Sequence, residues 1–294
     1  MPEIYRMGIT AAESLSMLNG MSGLYLEKIA EKYPSVSVND IGGYVRQICS
    51  KIVKMSKTLE VAAGQEHDYV VSNCIIRSIA DNIASLLFVY ERVGDEMILR
   101  HLLYVMDGLY TRLQMKLRKP LMKDSHISQV EFDALKQQVE EAIENEKGCI
   151  AFCENAVRQL SYYKKHSEEC EILIGRRNWK YEDIKSPMKS ISWKRMYAIL
   201  QIKSDDIFSY LSQYVHGLSV SNITIPYSED DFQPIWTFGV VLIGRLREFM
   251  ERFYRTSMED IGIDASRLLA CAPDGYVNNL LKRCNIIQND SHRR

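Results

Sequence analysis

Cysteine and histidine declare metal chemistry most readily, and Cys149, Cys153, His166 and Cys170 follow one another as Cys-x3-Cys-x12-His-x3-Cys. Four soft ligands at about this spacing describe a zinc centre when the chain between the two pairs folds back. Neither Gly nor Pro separates Cys153 from His166. A continuous helix, rising about 1.5 Å per residue, then holds the pairs about 25 Å apart and leaves Cys149 and Cys153 as small apolar fillers. On that geometry no metal is expected here, and no other cofactor is implied.

A second arrangement, Asn73, Arg77, Asp81 and Ser85, repeats every fourth residue within an apolar stretch, which puts the four side chains on one helix face. It reads as a solvated strip with an Arg–Asp pair contributing a few tenths of a kcal/mol. The alternative reading is the wall of a polar cleft between lobes, where Asp81 would aim the guanidinium at a phosphate or carboxylate. A third arrangement, Tyr210-Leu-Ser212-Gln-Tyr214-Val-His216-Gly217, closes a predicted helix. Beside Gly217, His216 can cap the last carbonyls. It can also exchange a proton near neutral pH among Tyr210, Ser212 and Tyr214.

Together, Arg77 with Asp81 and the segment 210–217 resemble a bacterial all-helical family of unknown function that is distantly similar to the higher-eukaryote and prokaryote nucleotide-binding (HEPN) helical bundles. The resemblance covers two motifs, about 30 residues of the chain. It implies a helical fold and metal-independent RNA cleavage in a dimeric cleft, in bacterial defence or toxin systems. In that role His216 would take the 2′-hydroxyl proton and Arg77 would stabilise the phosphorane. HEPN ribonucleases carry an Arg followed four to six residues later by a His, and this chain departs from that pattern: Arg118-x7-His126 and Arg158-x7-His166 are the nearest spacings.

Arg112, Lys116, Arg118, Lys119 and Lys123 form a basic run without an internal acid, either a phosphate-binding patch for RNA or a solvated helix end. The Gly42-Gly43, Gly20-x2-Gly23 and Gly239-x4-Gly244 spacings follow no strand and lack the Lys-Ser/Thr ending, so no phosphate loop is present. Trp236, Phe238, Phe249, Phe253 and Tyr254 read as core rather than as a stacking surface for bases.

The elements that must position these residues are helices. Few Pro (7) and Gly (15) interrupt long runs of Leu, Ile, Lys, Glu, Ala and Met, a composition that favours helix. Apolar residues at steps of three and four predict helices over 11–32, 40–64, 67–92 and 95–118. Between 128 and 170, Phe132, Leu135, Val139, Ala142, Glu146, Cys149, Cys153, Ala156, Leu160 and Tyr163 form a heptad seam, predicting one helix of about 60 Å. Residues 174–192, with Gly175, Trp179 and Pro187, read as a connector. Helices follow over 193–202, 204–215, 238–255 and 274–286, with 223–234 as a loop.

The expected fold is all-α: a multi-helix bundle with one long amphipathic helix and a C-terminal helical lobe, divided as 1–125, 126–173 and 190–294. Lys and Arg (37) balance Asp and Glu (38), so there is no global field toward nucleic acid or an anionic membrane. Met1–Thr10 lacks the pattern of a secretory signal, and the longest apolar runs, Ile83–Tyr90 and Phe238–Ile243, fall short of a membrane span. Seven scattered cysteines suit reduced thiols in the cytoplasm. The function expected is that of a cytosolic module acting through a protein partner or as a homodimer; the alternative is the HEPN-like ribonuclease or RNA-binding protein.

Overall fold

A computed structural model describes residues 9–35, 37–118, 121–202, 205–217 and 227–257. Among these, ten α-helices and a 3-10 turn at Ala198–Leu200 account for the regular structure, apart from an isolated antiparallel bridge between Tyr181 and Ser190. The protein is all-α. The helices are α1 (Ala11–Lys32), α2 (Ile41–Gly64), α3 (Tyr69–Tyr90), α4 (Gly94–Arg118), α5 (Gln129–Gln159), α6 (Ser161–Lys165), α7 (Ser167–Arg176), α8 (Trp193–Tyr197), α9 (Asp205–Val215) and α10 (Glu229–Tyr254). The chain folds into two compact units, one of 1–87 with 196–294 and the other of 88–195. The boundaries fall inside α3 and α8, and Arg177, Trp179 and Tyr181, in the stretch expected to be a connector, pack on α4.

In the first unit, α1, α2 and α10 pack on one another. The apolar period becomes a dry interior of Leu15, Tyr25, Val45, Ile52, Leu59, Ile79, Ile83, Leu242, Ile243 and Phe249. A Cβ on Gly239 would stand 2.9 Å from Leu15 Cδ2, so the missing side chain lets α10 approach α1. Gly42 and Gly43 also have a packing role. A Cβ on Gly43 would lie 1.9 Å from the Ser35 carbonyl oxygen, and only glycine lets the first turn of α2 close on the segment leaving α1. Asp40 caps that turn by accepting from the Gly43 N–H at 3.0 Å. The Tyr25 hydroxyl donates to the Thr256 carbonyl at 2.9 Å, and the Tyr254 hydroxyl to the Gly42 carbonyl at 2.9 Å. These bonds hold the end of α10 against α1 and α2.

By length and apolar composition α3 is the one described helix able to cross a membrane, and more than half of its most apolar window is buried inside the protein. Its wide apolar face is spent on the core, as the positions of Ile76, Ile79, Ile83 and Leu87 show.

In the second unit the chain departs from the expected single helix. Leu160 is extended, with φ −64° and ψ 144°, and the seam stops there. No Gly or Pro causes the break. Asp95, at the start of α4, accepts hydrogen bonds from the Ser161 hydroxyl and from the Tyr162 N–H (2.9 Å), so a carboxylate from another helix starts α6. After the turn, Arg158 and Glu171 form a bidentate pair (2.7 and 3.1 Å) that draws α7 back beside the end of α5. The loop expected at 223–234 is likewise corrected. Ser228 and Asp231 form a capping box, and α10 begins at Glu229 with Pro234 inside it, because burial of Phe232, Ile235 and Trp236 outweighs the lost backbone bond. The segment 193–202 is a short helix and a 3-10 turn, and the helix expected at 274–286 lies outside the described residues.

Three of these caps carry a pH prediction. Hydrogen bonds from Ser161 and the Tyr162 N–H hold the Asp95 carboxyl below its usual range, and bonds from Ser128 and Ser228 do the same for Glu131 and Asp231. A carboxyl whose folded pKa is depressed stabilises fully above the unfolded value of about 4 and loses that contribution as pH falls through the lower folded value. Carboxyl titration by NMR should therefore place each of the three below the ordinary value for its residue type, with loss of helical signal following only at lower pH. An Asp95 midpoint at or above the unfolded value would contradict the capping role.

Candidate functional site

The stripe on α3 is not a solvated strip. Asn73 and Ser85 are buried at its two ends, and the Arg77 side chain is 14% exposed. Asn73 donates to the Tyr69 carbonyl one turn back at 2.8 Å, and the Ser85 hydroxyl points at the Met196 sulfur at 3.9 Å. Arg77 lies between. Its Nε is 3.0 Å from Asp81, its Nη1 donates to the Phe208 carbonyl of α9 at 2.6 Å, and its guanidinium lies 4.7 Å from the centre of the Tyr197 ring. Tyr197 in turn donates to Asp81 and stacks on Phe208 at 4.0 Å. Burial, and then the adjacent Asp81 carboxylate, push the Tyr197 phenol above its usual range, so it stays a neutral donor. Arg77 is thus a tie between α3, α8 and α9, with Nε, Nη1 and one face of the guanidinium in use.

Tyr210, Ser212 and Tyr214 sit further along α9. The Tyr210 hydroxyl lies 2.9 Å from that of Tyr69 and 2.7 Å from that of Tyr214, and Tyr69 stacks on Tyr227 at 4.0 Å. Burial and these hydroxyl bonds raise the Tyr210 pKa, so its phenol stays a hydrogen-bond donor. Ser212 spends its hydroxyl on the Phe208 carbonyl at 2.9 Å. His216 is exposed in the last turn, its N–H bonded to the Ser212 carbonyl at 3.1 Å and followed by Gly217 at φ +60°. Eight residues separate Phe208, where Arg77 is held, from His216, an axial distance of about 12 Å. The structure brings Arg77, Asp81 and Tyr197 together, and separately Tyr69, Tyr210 and Tyr214.

The cysteines change setting once α5 breaks at Leu160, since the straight-helix spacing of the two pairs no longer holds. Cys153 and Cys170 are buried, Cys149 is exposed, and burial pushes the Cys153 and Cys170 thiols up to about 11. Both stay protonated at neutral pH, which suits core fillers. Among the described residues no group of three or more His, Cys, Asp or Glu side chains is placed to hold a metal ion.

The third candidate surface is the α4–α5 hairpin. Glu146, a buried member of the seam, meets Lys116 at 2.9 Å and Arg112 at 3.4 Å. The basic run therefore acquires an acidic partner from thirty residues away; Lys119 lies outside the described residues. From Glu146 back to its start at Gln129, α5 runs about 25 Å, whereas α4 ends two residues beyond Lys116. About 20 Å of α5 continues past its neighbour. Apolar side chains on and around this overhang are left in solvent: Val130 is 79% exposed, Met122 86%, Met115 66% and Leu135 42%. The seam is buried only in its second half, at Glu146 and Cys153.

Compared with family models, curated proteins and solved structures, the chain matches none. What the site can do therefore rests on its own geometry.

Sequence reasoning overlooked the most constrained polar residue, Arg100, which is 1% exposed. It bonds Glu96 at 3.0 and 3.1 Å and the Trp179 and Tyr181 carbonyls at 3.2 and 2.9 Å, between the rings of Phe88 and Tyr181. The Glu96-x3-Arg100 spacing was the available signal, and it is indistinguishable from an ordinary surface pair. Arg100 organises the fold of its unit.

Proposed function

We propose that this protein is a helical interaction module, acting through a protein partner or by self-association, with the end of the α4–α5 hairpin as its working surface. The observation that carries this reading is the exposure of large apolar side chains on and beside the part of α5 that outruns α4. An isolated helix of this length is marginal in water, and large side chains such as Val130 and Met122 gain by being covered. The free thiols of the five described cysteines support placing the activity in a reducing compartment such as the cytoplasm.

A photo-crosslinking residue at Val130 or Leu135, compared in living cells with one at the exposed control position Glu168, tests the proposal. Covalent adducts to protein are expected from the hairpin positions well above the control. Equal, background yields at all three would sink it. The alternative, metal-independent RNA cleavage, rests on the resemblance alone, while Arg77 donates to the Phe208 carbonyl of α9.

A further inference from the structure

Resting on the interaction reading, we propose that the occupant of the hairpin surface is a second copy of this chain, laid antiparallel so that the overhang of α5 covers the end of α4 in its partner. Charge is what selects a like copy. Residues 129–145 carry five acids and one lysine, whereas 110–123 carry five bases and no acid. The hairpin thus has an acidic edge and a basic edge. Glu146 neutralises the basic edge only at Arg112 and Lys116, and the stretch of α5 bearing Glu140, Glu141 and Glu144 lies toward the overhang.

The two signs are also displaced along the helix axis, so in an antiparallel copy the acidic overhang of each α5 lies against the basic end of the other copy's α4 and every contact occurs twice. Val130 and Leu135 belong to the overhang, and Met115 and Leu117 to the end of α4 that it would cover. Phe132, Leu135 and Val139 keep the three-and-four spacing that seats knobs between two facing helices. A uniformly acidic or basic partner would satisfy one edge and oppose the other, so the arrangement favours a like copy over a nucleic acid.

Sedimentation of the purified full chain tests this with two charge-reversed variants, Glu140→Lys/Glu141→Lys on α5 and Arg118→Glu/Lys123→Glu at the α4 end. The native chain is expected to dimerise, each variant alone to associate about tenfold or more weakly, and an equimolar mixture of the two to recover dimer. All substituted positions are exposed, and an unchanged far-UV spectrum establishes that the variants fold. A native chain that stays monomeric up to its solubility limit overturns the proposal, as does a dimer indifferent to both reversals or a mixture that fails to recover. Failure here is separable from failure of the interaction reading. Crosslinks from Val130 to other proteins with none to this chain overturn only the second copy, and crosslinks to nothing overturn both.

Discussion

Replacing Arg100 with methionine is expected to lower the stability of its unit by about 3–5 kcal/mol, the range found when one partner of a buried ion pair is removed. The size follows from where its bonds go. Glu96 is about one-third exposed and can be rehydrated once the guanidinium is gone. The Trp179 and Tyr181 carbonyls cannot: they sit in residues 177–192, where the only ladder pairing is one isolated bridge, and Arg100 satisfies both at 3.2 and 2.9 Å. Stranding two buried acceptors costs about 1–3 kcal/mol each, and the packing between Phe88 and Tyr181 is lost in addition. Lysine is no remedy, since one ammonium cannot reach Glu96 and two carbonyls in the planar fork that guanidinium provides. Urea denaturation followed by tryptophan fluorescence, reporting on Trp179 where it meets the Tyr104 ring edge-on, measures the change. A loss under about 1 kcal/mol would mean that the segment is held by other contacts.

The helices were legible in the sequence wherever local pattern and local stop signals coincide. Ala11–Lys32 ends before Tyr33-Pro34, Ile41–Gly64 begins after the Asp40 cap, and Arg118 precedes Pro120, so those boundaries need no distant residue. The features that escaped are those set by residues far away in the chain. Leu160 breaks the heptad seam because Asp95 arrives to cap the next turn. Pro234 is tolerated inside α10 because the Ser228–Asp231 box starts the helix and the apolar residues around it are buried. Residues 177–192 read as a connector on composition, yet Trp179 and Tyr181 are core, with the Trp179 indole N–H donating to Asp107 at 3.1 Å.

The candidate site shows the same limit. That Asn73, Arg77, Asp81 and Ser85 share a face was readable from their spacing. What the face meets was not, because the answer lies in Tyr197 and Phe208, more than a hundred positions away. The hairpin reverses the lesson: its seam was plain in the sequence, but only the short reach of α4 reveals that half of the seam is uncovered.

Arg77 and His216 separate a structural tie from a catalytic pair by the contrast between their effects. Arg77→Met removes the bond to the Phe208 carbonyl, the Asp81 contact and the stacking on Tyr197. A hydrogen bond to a charged group contributes about 1.5–3 kcal/mol, and a largely desolvated cation–π contact about 1 kcal/mol. Against these stands the partial rehydration of Asp81, which is about one-third exposed and keeps its bond from Tyr197. The expected net loss is about 2–3 kcal/mol. His216→Ala, at an exposed helix end, should stay within about 0.5 kcal/mol of the native chain. Chemical denaturation gives both numbers, and incubation with total RNA gives the second readout. A tie predicts unequal stability losses and RNA turnover that is the same for both folded variants as for the native chain. A catalytic pair predicts that both substitutions abolish cleavage while His216→Ala leaves stability untouched, and that outcome would move Arg77 from a strut of the fold to a participant in chemistry.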